Sequence, residues 1–524
     1  MSAGPSDTAR RSVPAGAGAA AGRGAAAGAG GAAAGRGAAA GGGGAAAGGP
    51  SEAAIAAAVE AEREWMEALL VRLVEAPTTL GEEEAGQAIV AAALADCGLA
   101  PRSVPLDAAA LRAAPGSSPF SWSVEGKRNV VARWEPPDPA RAGAGRPLAP
   151  PAGPAPRAPG DRPAAGAAPV PAGAGARRGR SLILNGHVDV VPPASAALWS
   201  GDPFRARREG DWLYGRGAGD MKAGLVAMIG AVRALRRLGV ELAAPLELQS
   251  VVEEECTGHG ALQCLLDGAR ADACVIAEPH PDHFTIAQVG VLWFHVDVRG
   301  RPAHAARAAT LGFNAIDAAA TLLAALRELE AELNADPPAP YDRVAHPINL
   351  NPGIVAGGDW PSTVAAECTL SCRLGLYPGE SPQAARRRVE ETVARAAAAD
   401  PVLRDHPPVV RYDGFACEGA VVAPEEPVVR ELAAAYARVH GEPPRLEATT
   451  ATTDARQFIR HGIPAICHGP RAEEIHGIDE RVSLSSMAAV ARVLASFVPV
   501  WCGTVNEEGL PAEAAHGEES DVCR

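Results

Sequence analysis

Aromatic side chains are scarce, at 4% of 524 residues, and so is positive charge, with 48 Lys and Arg against 62 Asp and Glu for a net charge of -14. The densest Arg clusters lie near low-complexity tracts and are not interleaved with aromatics, which counts against a nucleic-acid partner. No uncharged apolar run reaches the length of a bilayer span, so no membrane partner is expected. The ten cysteines form no CxxC pair and no regular framework. That suits reduced thiols and a cytoplasmic location better than a secreted disulfide scaffold. There is also no GxSxG elbow and no cysteine in a reactive setting, which leaves a Ser or Cys nucleophile without a carrier.

Glycine (58) and proline (46) are plentiful instead. Of residues 15–49, all but Arg23 and Arg36 are Ala or Gly. Such a tract has too little large apolar surface to offset its ordering entropy. Residues 1–50 are therefore expected to form a disordered tail; an Arg-bearing organelle transit peptide is the alternative. The Pro-rich run 136–179 reads as a disordered insertion and 504–524 as a second tail. What remains is a good length for two domains.

The ordered pattern starts at Ser51, a plausible N-cap for a helix through Val74. A second helix follows over 82–99. Strand-like runs at 129–134, 181–191, 246–252 and 273–277 are separated by helices near 222–238 and from Gly260. Near-continuous apolar strands alternating with helices imply an α/β fold, a mostly parallel sheet sandwiched by helices. From Val291 the pattern changes to a half-buried strand over 291–298, a helix over 313–333, strands over 348–355 and 363–376, a helix over 381–398 and a strand over 409–412. That βαββαβ order predicts a small α+β domain inserted into the first. The boundaries are 51–287 with 414–503 for the outer domain and 288–413 for the inserted one.

Chemistry-bearing residues gather where strands or turns meet loops. His187 and Asp189 end one strand, in Leu184-Asn-Gly-His-Val-Asp-Val-Val-Pro-Pro193. Asp220 lies in the glycine-rich Gly215-Arg-Gly-Ala-Gly-Asp-Met-Lys222, and Glu253-Glu254-Glu255 ends the strand 246–252. Glu278 follows 273–277, and His476 follows the late strand 465–467 in Ile475-His-Gly-Ile-Asp-Glu480. In open α/β sheets, sites are built at the carboxyl ends of strands. One such residue could be a solvated charge; five at successive strand ends point to a two-metal centre. Three carboxylates and a bridging hydroxide balance two divalent ions, and a further acid is left to act as base. Metals that polarise a carbonyl and acidify water require no Ser or Cys nucleophile.

Taken together and in this order, GHVDVVPP, GRGAGDMKAG, VVEEECTGHGA, AEP and IHGIDE resemble the zinc-dependent aminoacylase, acetylornithine deacetylase and succinyl-diaminopimelate desuccinylase family, which also holds carboxypeptidases and di- and tripeptidases. The likeness runs from about Glu60 to Val500. It implies a zinc exopeptidase-like catalytic domain with an inserted lid or dimerisation domain, and two Zn2+ per subunit that Co2+ can replace. His187, Asp220 and Glu278 would hold one ion, and Asp220, Glu255 and His476 the other; Asp189 would orient His187. Aligning Gly258, Gly260 and Ala261 with the family's Gly-x-Gly-Ala makes Glu254 the general base, whereas a one-residue slip would use Glu253 and Glu254. His304, in Gly-Arg-Pro-Ala-His-Ala, would reach across a homodimer to stabilise the oxyanion, and Arg373 would meet a substrate carboxylate or else form a surface salt bridge. Asp454 would support the site from behind, while His259, His461 and His468 lack a matching carboxylate, and the His280/His283 pair falls on a Pro-broken loop. The implied activity is removal of an acetyl, formyl or succinyl group from an amino acid or related amine. The alternatives are a di- or tripeptidase or glutamate-type carboxypeptidase of the same family, and an inactive metal-binding assembly protein.

Overall fold

The computed structural model describes residues 49–137, 179–280 and 282–505, so most of the expected tails and of the expected insertion lie outside the described residues. A nine-stranded sheet forms the larger layer. Its centre is four parallel strands, Leu246–Val251, Leu182–His187, Ala273–Ile276 and Ala465–Cys467, in that spatial order. Every residue of these four is buried. A strand covered on both faces must be apolar along its whole length, which is why these segments read as continuous runs. The parallel expectation holds at this centre, while the flanks are mixed. Arg128–Trp134 and Arg102–Pro105 add antiparallel on one side. On the other side His283–Gln288 adds antiparallel, followed by Ala420–Val421 and by Arg445–Thr449, which pairs parallel.

Helices Ala223–Arg237 and Leu484–Cys502 pack against one another beneath the sheet. Gly224 lets the first of them lie close against the sheet: a Cβ there would sit 2.0 Å from the carbonyl oxygen of Ala277, just after the strand Ala273–Ile276. Leu484–Cys502 is long and apolar enough to cross a membrane by length and composition, but 72% of that stretch is buried in the core of the molecule. The expected first helix is in fact two, Glu52–Glu60 and Arg63–Val74. At the break Glu62 turns inward to meet Arg233 (2.7 Å) and Arg237 (2.8 Å). Ser51 caps the first of the two through the Ala54 N–H.

The second layer is an antiparallel sheet of Gly290–Arg299, Leu350–Gly357, Glu367–Leu376 and Val409–Arg411, with Leu350–Gly357 at one edge. Helices Ala315–Leu333 and Pro382–Ala399 interleave with these strands in the chain, giving the βαββαβ order. They close over the sheet to form a separate apolar core that includes Phe294, Leu322, Leu326, Leu370 and Val389. The chain passes between the two layers twice, and the passages touch: a Cβ on Gly290 would lie 2.3 Å from the Cys417 carbonyl oxygen. Ala416–Cys417 still pairs within the second sheet, and Ala420–Val421 already belongs to the first.

A small third sheet of Arg207–Glu209, Trp212–Tyr214, Ala472–Glu473 and Arg481–Ser483 was not expected, because two- and three-residue strands are too short to show a period. Nine described cysteines are free and buried.

Candidate metal centre

His187 is the last residue of a central strand and is 1% exposed. Its Nδ1 donates to the Asp189 carbonyl at 2.9 Å and stands 3.6 Å from the Asp189 carboxylate. That carboxylate instead accepts the backbone N–H groups of Glu254 (3.3 Å) and Glu255 (3.1 Å). Asp189 thus ties the end of one strand to the turn after its neighbour. The outward Nε2 of His187 lies 3.1 Å from Asp220 Oδ1 and 3.6 Å from Glu278 Oε1.

Asp220 is held between two imidazoles. Its other oxygen, Oδ2, is 3.3 Å from His476 Nε2, which also lies 3.2 Å from the Glu255 carboxylate. The loop that presents Asp220 is shaped by Glu480, a fully buried acid that the sequence reading did not single out. Glu480 Oε1 accepts the N–H groups of Gly219 (2.9 Å) and Asp220 (3.0 Å), and Oε2 accepts Gly217 N–H (3.0 Å) and the Arg216 guanidinium. Its signal was its place in the His476 motif, four residues on.

The three consecutive glutamates face different ways. Glu253 has φ +61° and is fully buried, on the side of His259 rather than of His187 and His476. Lys127 Nζ (2.8 Å), Trp122 Nε1 (2.9 Å) and Thr257 Oγ1 (3.1 Å) donate to it; the neighbouring His259 imidazole, then Lys127 and Trp122, outweigh burial to hold its carboxyl down at about 2. Glu255 faces His476. Glu254 points between the others, with carboxylate oxygens of Glu254 and Glu278 and a His187 nitrogen all within 4.8 Å. Glu254 Oε1 is buried and has no hydrogen-bond partner among the described residues; Arg456 Nη1 stands 3.8 Å away.

The electrostatics are those of an anionic cage. Burial, reinforced by neighbouring carboxylates, pushes Glu254 and Glu278 well above the usual carboxylate range. Burial also lifts Asp189 to about 7. The Glu255 carboxylate raises His476 to about 11, and His187 is held high against burial chiefly by Asp220. Four acids crowded around two imidazoles repel one another unless cations sit among them, and His with carboxylates is a donor set for Zn2+ or Co2+. The residues present therefore fit a metal centre.

Two expected residues are not part of this cluster. His304 is exposed, and its Nδ1 accepts the Ala306 N–H at 3.1 Å. Arg373 is half-buried in Glu367–Leu376 and donates to the Thr450 carbonyl at 3.4 Å. It forms no ion pair among the described residues, so the salt-bridge alternative finds no partner there. His259 does have a carboxylate neighbour, contrary to expectation: its Nδ1 is 3.4 Å from Glu253 Oε2. Asp454 is 1% exposed, with Arg456 3.7 Å away. His461 and His468 bond to backbone carbonyls, of Gln457 and His280.

Comparison with known proteins matches residues 183–499 to Peptidase family M20/M25/M40. The chain is 31% identical over 347 residues to an N-formyl-4-amino-5-aminomethyl-2-methylpyrimidine deformylase of Bacillus subtilis, covering 63% of this chain and 81% of that one. It is 27% identical over 338 residues to a succinyl-diaminopimelate desuccinylase of Dinoroseobacter shibae, covering 61% and 84%. Among solved structures, human carnosine dipeptidase 1 superposes with a TM-score of 0.63 at 15% identity, over 85% of this chain and 98% of the other.

Proposed function

The chain belongs to Peptidase family M20/M25/M40 and is a metal-dependent amide hydrolase; from that premise we propose that it removes a formyl, acetyl or succinyl group from an amino acid or related amine. The carrying observation is the placement of Asp220, one oxygen toward His187 and the other toward His476, with Glu278 and Glu255 on either side. That geometry supports two zinc ions per subunit, replaceable by cobalt, with Asp220 shared. His187 and Glu278 would complete one site and Glu255 and His476 the other. Bound metal ions supply Lewis acidity toward the amide carbonyl and water.

The chain's own residues do the rest. Glu254 is the general base in this reading: buried, with a free Oε1, it takes a proton from water and returns it to the leaving amine nitrogen. Burial raises its proton affinity toward what such a shuttle needs. Asp189 positions the machinery by fixing the Glu254 and Glu255 amides and the strand end that carries His187. Arg373, a half-buried cation without an acid partner among the described residues, supports recognition of a substrate carboxylate. The same feature favours a second reading, cleavage of short peptides.

We also read 51–287 with 414–503 as the catalytic domain and 288–413 as a lid through which the protein forms a homodimer. The edge strand Leu350–Gly357 and the turn after it expose Ile354 (63%), Val355 (58%) and Trp360 (67%), an unpaired apolar edge of the kind that pairs with a second copy. In that dimer His304, exposed in the single chain, serves the opposite site as an oxyanion donor. Free, buried cysteines support placing the enzyme in the cytoplasm.

The test is a substrate panel on zinc-loaded protein containing N-formyl and N-succinyl amines, N-acetyl amino acids and dipeptides. Cleavage of the acylated amines is expected. Cleavage of dipeptides alone would establish the second reading, and no hydrolysis of any of them would overturn both.

A further inference from the structure

Away from the metal cluster, a cavity of about 430 Å³ opens beside the two passages between the sheets. Its floor is the connection Ala416–Val421, which leaves one sheet at Cys417 and enters the other at Ala420. One wall is the start of helix Pro382–Ala399 with Gln383 and Arg386, and the other is helix Ala455–Arg460 with Arg456, Gln457 and Arg460.

Three guanidinium groups line this space, against one carboxylate, the exposed Glu418. Arg386 and Arg460 form no ion pair among the described residues. Arg386 lies over the Tyr412 ring at 4.5 Å, and its buried Nε has no hydrogen-bond partner there. Arg456 is 5% exposed; its Nη atoms donate to the Thr453 (2.6 Å) and Thr257 (3.1 Å) carbonyls, while its buried Nε also has no partner. Arg460 lies close against Gly116, where a Cβ would fall 2.6 Å from its Nε. Gly116, at φ +81°, is a position that a side chain would both strain and block. The helix Pro382–Ala399 starts at this wall, and its N-terminus adds the positive end of its dipole to the same space.

Planar guanidinium forks with free N–H groups recognise tetrahedral oxyanions by paired hydrogen bonds. We propose that this cavity is a binding site for a small phosphomonoester dianion, which braces the lid sheet against the catalytic sheet at their crossing. Arg386 comes from the lid side and Arg460 from the catalytic side, so a bound dianion ties the two together. The site is separate from the metal centre, although Arg456 borders both.

Isothermal titration of the zinc-loaded enzyme with phenyl phosphate and with inorganic phosphate tests this. Both should bind saturably at one site, and R386A/R460A should weaken phenyl phosphate binding at least about tenfold, the loss of a charge-assisted contact. Neither residue belongs to the catalytic machinery, so kcat/KM without phosphate should stay within about twofold, a change of about 0.4 kcal/mol in the barrier. R460A alone, at an exposed position, keeps the test valid if the double variant does not fold: it should weaken binding several-fold. The proposal is overturned if binding is not saturable, or if the Arg variants bind as wild type does, because the anion then sits on the metal centre or nowhere.

Discussion

Replacing Glu480 by Gln would remove one negative charge from a fully buried position while keeping the side chain's volume. Its carboxylate takes four donors: Arg216, itself 1% exposed, and the backbone N–H groups of Gly217, Gly219 and Asp220. An amide has only one acceptor oxygen, and its NH2 group would face N–H donors. The Arg216 guanidinium would keep its bond to the Gly477 carbonyl (2.9 Å) but lose its counter-charge. Breaking a buried ion pair from one side costs about 3–5 kcal/mol. The loop that carries Asp220 would relax as well, and loss of a residue that positions a ligand typically costs about 10- to 100-fold in metal affinity. Urea denaturation of the chelated proteins reads the first effect, and competition with a chromophoric chelator reads the second. A stability change under about 0.5 kcal/mol, the range of an ordinary surface substitution, together with unchanged zinc affinity would refute the reasoning.

Gly224→Ala should lower stability by about 1–3 kcal/mol or more, because the new Cβ meets the Ala277 backbone rather than a side chain that could yield; thermal unfolding measures it. Glu330 is buried, yet the Leu350 N–H (2.8 Å), Arg327 (2.6 Å) and His346 (3.2 Å) outweigh burial and hold its carboxyl below the usual range. A depressed native pKa stabilises above the unfolded value, and that stability is lost as pH falls through the native one. The gap between wild type and Glu330→Gln should therefore be full at pH 7 and shrink below about pH 4 in denaturation at each pH. Chelation should abolish hydrolysis, and zinc or cobalt should restore it. Arg373→Ala should raise KM about tenfold for substrates with a free carboxylate and leave those without one unchanged, as steady-state kinetics on paired substrates would show.

The layered α/β architecture was legible because its central strands are buried on both faces, so Leu182–His187 and Leu246–Val251 stand out as apolar runs. The inserted sheet was equally plain, since Gly290–Arg299 alternates buried and half-buried residues over much of its length. His187, Asp220, Glu255, Glu278 and His476 could be picked out because each ends a strand or sits in a glycine-rich turn. What the sequence hid depends on contacts far apart in the chain. The break at Glu62 answers to Arg233 and Arg237, and Glu480 shapes a loop some 260 residues earlier. The different facings of Glu253, Glu254 and Glu255 follow from the left-handed backbone at Glu253 and from Lys127 and Trp122, none of which has a local pattern.

The most direct test of the account is kcat for Glu254→Gln on protein whose metal content matches wild type. Removing a general base lowers rate by about 10²- to 10⁴-fold. A loss of that size, with two metal ions per chain retained, is the predicted result. Full activity in a Glu254→Gln enzyme that carries its metals would contradict the assignment of Glu254 as the group that moves the proton.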